Sequence, residues 1–347
     1  MIRLQHQLFV DLKKGGRDAV LKSLQDALCL EHATLPPYLY AYYSLDAAKN
    51  SVIKTIIWSV LFEEMLHMTL VCNIINALGG IPKINDPGLV PQYPGPLPGG
   101  VQGDLQVHLA PYSADQLAVF LQIEQPEHPL NFRVALDAGQ PPETIGRFYR
   151  EIQKQIVALG DGAFVKPPRN QVGSDTIGSA IIVSDVKSAG QAIDLIVEQG
   201  EGTETDPGEV VGNDYAHYYR FKEIEKGKKL IPNPNAPPGA PPDQKFIYNG
   251  SPVPFDASGV FQAPRDPKAA NYPAGTPART AMDDFNTTYS DLLNELQQGF
   301  NGSPGELSLA IFTTMSDLDS KARTLVQTPA PGGGMLGPSF EYRTSVA

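Results

Sequence analysis

The chain has 347 residues, 41 % of them hydrophobic, enough to bury a sizeable core in one large domain or two small ones. Its formal net charge of −11, without a dense Lys/Arg run, argues against nucleic acid or an anionic membrane as partner. Two cysteines, Cys29 and Cys72, lie in apolar stretches with no CxxC spacing, which argues against a disulfide framework or zinc ribbon and fits buried thiols in the cytoplasm.

The N-terminal segment MIRLQHQLFVDLKKGG carries charges where a secretory leader would be apolar. Residues 18–48 read as a helix, with Val20, Leu24, Ala27, Leu28, Leu35 and Tyr38 at helical spacing and a kink expected at Pro36–Pro37. A second helix, 52–78, is stopped by Gly79, Gly80 and Pro82. This is the most apolar part of the chain, yet Lys54, Glu63, Glu64 and His67 make it a costly membrane span, so a buried helix is expected. A Pro/Gly-rich loop covers 81–103; short strands are expected at 106–110 and 180–183, and helices at 114–124, 144–159, 188–201 and 209–226. Residues 231–279 hold too many prolines and glycines for regular elements and read as an extended arm; so long a loop is unusual unless it covers something. Helices at 281–300 and 306–327 and an irregular tail close the chain. The resulting division is 1–230 as a bundle with an insertion at about 81–187, 231–280 as the arm, and 281–347 as a helical pair and tail packed on the bundle.

The second helix carries the strongest chemical signal. Ile57, Val60, Glu64, His67, Val71 and Ile74 form one helical stripe, so an acid and an imidazole sit at the centre of an apolar face. A buried carboxylate there needs compensation, and a metal ion supplies it. Val210, Asp214, His217, Phe221 and Ile224 repeat these offsets, with aspartate shortening the reach. The first helix offers Glu31. A weak repeat, LCLEHAT at 28–34 and LIVEQGE at 195–201, aligns Glu31 with Glu198; Glu201 is kept as a bridging or substitute ligand. One acid from each of two helices plus two acid-x-x-His helices is the ferritin-type di-metal pattern, and carboxylates with imidazoles suit iron or manganese. The metal set is thus Glu31, Glu64, His67, Glu198, Glu201, Asp214 and His217, for two iron ions with manganese as the alternative. Tyr38, Tyr215 and Glu63 are expected beside these ligands. His32 points to another face of its helix and reads as structural; His6, His108 and His128 have no partner pattern.

The stretches LEHATLPPYLYAYYS, EEMLHMTLVCNIINALGG, TIGRFYREI, IVEQGEGT, AHYYRF and LVQTPAPGGGMLGPSFEY resemble the ferritin-like family related to iminophenylpyruvate dimer synthases of violacein and rebeccamycin biosynthesis, from about Leu28 to Tyr342. The resemblance implies a mainly α fold, a ferritin-like four-helix bundle with additional C-terminal helices and long Pro/Gly-rich loops, in a protein of secondary metabolism. In the pathway enzymes an oxidised amino-acid imine is coupled to a second copy. Two departures from the family pattern are Asp214 where glutamate is expected and Arg147 where an acid is common.

The expected function is a dinuclear non-haem oxidoreductase using dioxygen or peroxide on a small, amino-acid-derived molecule held under the proline-rich arm, in a homo-oligomer without nucleic-acid or membrane partners. Metal storage or peroxide detoxification is the second reading, and a non-catalytic interaction module the third.

Overall fold

Two long helices, packed side by side, organise the computed structural model, which describes residues 5–100, 105–126, 144–202, 207 and 214–344. A short helix not expected from the sequence pattern, α1 (His6–Lys13), precedes them; Phe9 and Leu12 are its buried residues, and Phe9 packs edge-on against Phe148 at 5.6 Å. Helix α2 (Arg17–Ser44) runs through Pro36 and Pro37, where a kink was expected. Proline removes the bond to the carbonyl four residues back. The Ala33 carbonyl that Pro37 leaves free accepts instead from the Tyr93 hydroxyl at 2.8 Å, so a tertiary partner replaces the lost bond.

Helix α3 (Ala47–Ala77) starts on Asp46, whose side chain accepts from Ala48 N at 2.9 Å; the backbone leaves helical geometry at Asn50, where the predicted connection lies. Gly79, at φ 74°, turns the chain out of the helix in a conformation that side chains disfavour. By length and composition α3 could cross a membrane, but 67 % of its apolar window is buried within the fold. It is the core helix that its central Glu64 and His67 suggested.

Around this pair stand α4 (Ala114–Ile123), α5 (Ile145–Leu159), α6 (Val186–Glu201) and α7 (His217–Lys226). A two-residue antiparallel pair, β1 (Gly95–Pro96) with β2 (Gln106–Val107), is all that forms of the strand expected at 106–110. The strand expected at 180–183 is absent: Ile181 O accepts from the Asn73 amide at 2.9 Å and Val183 N donates to Gln171 at 2.8 Å, so side chains take the bonds a ladder would. Helix α7 begins at His217, not at residue 209; Asp214 to Ala216 are non-helical, and 208–213 lie outside the described residues.

The arm also departs from expectation. Its first part is a hairpin in which β3 (Lys228–Pro232) pairs antiparallel with β4 (Phe246–Pro252), joined through α8 (Pro242–Lys245). Phe246 and Tyr248 alternate inward against the more exposed Ile247 and Asn249, a period-two signal the nearby prolines obscured. The following chain binds the α2–α3 connection, with Phe261 N donating to Ser44 O at 2.8 Å and Asp256 N to Asn50 at 2.9 Å. It covers that end of the bundle.

Helices α9 (Pro277–Phe300), α10 (Pro304–Leu309) and α11 (Met315–Gln327), with a π-helical turn at Ala310–Thr314, close the other side of α2. The tail returns onto α9, where Glu341 N donates to Asn286 at 3.0 Å. His32 is buried in this contact and pairs with the Tyr289 hydroxyl at 3.1 Å. Burial pulls its imidazole down to about 4. The folded state therefore binds fewer protons than the unfolded chain between that value and the usual 6.5. The stability this represents is present above pH 6.5 and is lost as pH falls towards 4. Between pH 7.5 and 5 the metal-free protein should lose about 2 kcal/mol that a His32→Gln variant does not lose, read from urea midpoints.

Candidate metal centre

Among the described residues, five acids and imidazoles converge between α2, α3, α4 and α7. Helix α2 contributes Glu31; α3 contributes Glu64 and, one turn on, His67; Glu124 follows the last turn of α4; His217 is the first residue of α7. They form two buried groups, Glu31–Glu64–His67 and Glu64–Glu124–His217, in each of which ligand-type atoms lie within 4.8 Å of one another. Glu64 is common to both. The two imidazoles face one another with ring centres 5.4 Å apart.

Each of these side chains is held from behind. Thr34 donates to Glu64 Oε2 at 3.0 Å, the Tyr149 hydroxyl to Glu31 Oε1, and the Tyr38 hydroxyl to Glu124 Oε1. His67 Nε2 lies 3.1 Å from Gln199 Oε1, and His217 Nε2 lies 2.9 Å from Glu63 Oε2. Glu63 is in turn gripped by the buried Arg220 guanidinium, with Nη1 3.1 Å from Oε1. Both rings thus turn Nδ1 towards the carboxylates: His67 Nδ1 is 3.6 Å from Glu31 Oε2, and His217 Nδ1 is 2.8 Å from Glu64 Oε1 and 3.3 Å from Glu124 Oε2. Pinning one imidazole nitrogen so that the other is presented is how proteins prepare histidine to bind a metal.

Electrostatics fit the same use. Burial, then the charge of Glu124, pushes the Glu64 carboxyl up to about 8. Burial opposes charge on His67 and His217, but the facing carboxylates outweigh it and raise both. For Glu63 burial is outweighed in the other sense, and His217 and Arg220 hold it down to about 2. Without a cation, then, the cluster contains its charge by holding protons. His217 Nδ1 is buried and makes no hydrogen bond, although two carboxylate oxygens stand close. A buried nitrogen left so is costly, and a cation between it and the oxygens would satisfy it. Oxygen and imidazole donors in two groups sharing one carboxylate suit a pair of iron or manganese ions.

Of the residues singled out in the sequence, Glu31, Glu64, His67 and His217 come together, with Glu63 and Tyr38 beside them. Three do not join. Asp214 precedes α7, is half-exposed and lies 3.6 Å from Arg220 Nη1, because the helix that would have put it in line with His217 has not begun. Glu198 is half-exposed under the charges of Asp194 and Arg150, since α6 turns Ile196, Val197 and Gly200 towards the cluster instead. Tyr215 packs edge-on against Phe246. Glu201 ends α6, and its side chain lies outside the described residues, as does His128. Glu124 was missed, though Leu117, Phe120 and Leu121 lead to it at helical spacing and put an acid in line with an apolar stripe. Tyr149 was missed as well: within TIGRFYREI it, and not position 147, reaches Glu31. Removing that hydroxyl in Tyr149→Phe should weaken metal binding by roughly 10- to 100-fold in a chelator competition; unchanged affinity would contradict the role given to it.

A cavity of about 60 Å³ adjoins the cluster, with walls that include Leu30, Leu97, Ile123, Ile145, Ile196 and Val197. No residue of 231–276 lines it, so the arm does not roof this space.

The family model for ferritin-like proteins matches residues 24–226. The chain is 24 % identical to dichlorochromopyrrolate synthase from Lentzea aerocolonigenes over 387 aligned positions, covering 94 % of this chain and 36 % of that protein. It thus spans about a third of that relative's length. Its fold matches the crystal structure of a ferritin-like protein from Caulobacter vibrioides with a TM-score of 0.63 at 22 % identity, covering 93 % of this chain and 97 % of the other.

Proposed function

The chain belongs to the ferritin-like family, and we propose that it is a dinuclear non-haem oxidoreductase acting on a small organic molecule with dioxygen or peroxide. The observation that carries this reading is the sharing of Glu64 by two buried carboxylate–histidine groups. Glu31 and His67 would hold one ion, Glu124 and His217 the other, and Glu64 both. When bound, two iron or manganese ions supply one-electron redox chemistry towards dioxygen or peroxide.

The residues of the chain do the rest. Tyr149 and Tyr38 fix the Glu31 and Glu124 carboxylates, and Gln199 and Glu63 fix the two rings. Arg220 keeps Glu63 charged, so that this acid accepts from His217 Nε2 and leaves Nδ1 for the ion. The apolar walls exclude bulk water from a space that takes a few water-sized molecules, enough for an oxidant and the reacting end of a substrate. The similarity to a biosynthetic synthase supports an organic substrate in secondary metabolism.

The test is oxygen uptake by anaerobically prepared ferrous protein. The proposal predicts uptake in proportion to bound iron with an accompanying optical change, both lost in Glu64→Gln. No oxygen-dependent change would sink the proposal; sustained turnover of excess ferrous ion, without an organic co-substrate, would replace it with iron handling.

A further inference from the structure

On the far side of α2 and α3 from the carboxylate cluster lies a cavity of about 620 Å³. We propose that it is a second, separate small-molecule site, and that its ligand is an uncharged aromatic compound carrying one hydrogen-bonding group. None of the five clustered acids and imidazoles lines it; Glu31 and His32, adjacent on α2, face opposite sides, and only His32 reaches it.

The volume falls within the range of sites that enclose small organic ligands. Walls rise from α2, α3, α9, the turn at Thr176 to Gly178 and the helices after α10, so the space is concave and does not resemble a flat docking face. Its chemistry is aromatic and soft. Tyr43, Trp58, Phe62, Phe300, Phe312 and Phe340 contribute rings, and Met65, Met68 and Met315 contribute polarisable sulfur that favours ring contacts. The charged residues among its lining, Asp319 and Arg323, neutralise one another at 2.8 Å, which leaves no net charge to recognise an ionic ligand. Beside scattered hydroxyls such as that of Thr69, which is spent on Met65 O, the wall holds one buried polar pair, Tyr289 and His32, bonded to each other at 3.1 Å. A phenol spends one hydrogen-bonding capacity on such a pair and keeps another for a ligand.

A second observation points the same way. The π-helical turn Ala310–Thr314 forms part of this wall and carries Ile311 and Phe312 into it. Such turns give up regular helical geometry and recur at functional sites. Here the turn holds Phe312 at the rim, 69 % exposed, where an apolar ring in water is otherwise unfavourable.

The chain's only tryptophan, Trp58, lines the cavity and reports on it directly. The neutral probe N-phenyl-1-naphthylamine, titrated into the full chain, should quench Trp58 by energy transfer in a saturable curve with one probe per chain. Phe312→Ala, which changes an exposed side chain, should weaken this binding by roughly threefold to tenfold without altering the melting temperature. The sulfonated analogue 8-anilinonaphthalene-1-sulfonate should bind more weakly than the neutral probe. Non-saturable quenching, unchanged affinity in Phe312→Ala, or equal or tighter binding of the sulfonate would overturn the proposal. So would loss of probe binding on concentration-dependent self-association, which would assign the face to a second copy of the chain.

Discussion

Anaerobic loading of Glu64→Gln with ferrous or manganous ion should leave almost no metal on the protein, whereas Glu124→Gln should keep one of two ions. The asymmetry follows from the arrangement. Glu64 belongs to both carboxylate–histidine groups, and Glu124 to one. Glutamine keeps the shape of Glu64 but offers no charge, and the loss should exceed the roughly 10- to 100-fold that residues behind the ligands are worth. The effect is not one of folding. Since Glu64 titrates at about 8, its neutral form predominates at pH 7 in the metal-free protein, and a neutral isostere should shift stability by no more than about 1 kcal/mol. Elemental mass spectrometry beside a thermal melt separates the two effects. Two ions retained in Glu64→Gln would show that the shared carboxylate is not what holds them.

Metal affinity should also climb steeply with pH up to about 8. Burial first, and then the charge of Glu124, keeps Glu64 protonated below that value, and the carboxylates facing His67 and His217 hold both rings above their ordinary range. A metal needs the lone pairs those protons occupy, so loading must expel them. Each expelled proton costs about tenfold in apparent affinity per pH unit below the relevant pKa. From pH 8 to pH 6 affinity should therefore fall by about 50-fold for Glu64 alone, since half of that group is still protonated at pH 8, and further if a ring proton leaves too. Calorimetry in buffers of different ionisation enthalpy counts the protons. An affinity flat across this interval would mean that the carboxylates are not the ligands.

The parts of this site that were legible in the sequence are those where local pattern and tertiary demand coincide. An acid and an imidazole centred on the apolar stripe of α3 cannot be explained by helix propensity, and both proved buried. Glu31 sits among the apolar neighbours of α2 in the same way. The failures have physical causes as well. The spacing of Asp214 and His217 mimics a helical pair, but it straddles a helix start, and spacing means nothing where the backbone is not helical. Glu198 was chosen by a repeat, while the rotation of α6 is set by which residues pack, and Ile196 and Val197 won the inner face. Glu124 stands with the cluster where these acids were expected, after a helix that carries no acid-x-x-His and whose mark in the sequence is the apolar stripe from Leu117 through Leu121. Proline content hid the β3–β4 hairpin.

Anomalous diffraction from a crystal of the iron-loaded protein at pH 8 tests the central claim most directly. Two peaks should flank the Glu64 carboxylate, one beside Glu31 and His67 and the other beside Glu124 and His217. A single peak, or peaks only at other residues, would contradict the dinuclear centre.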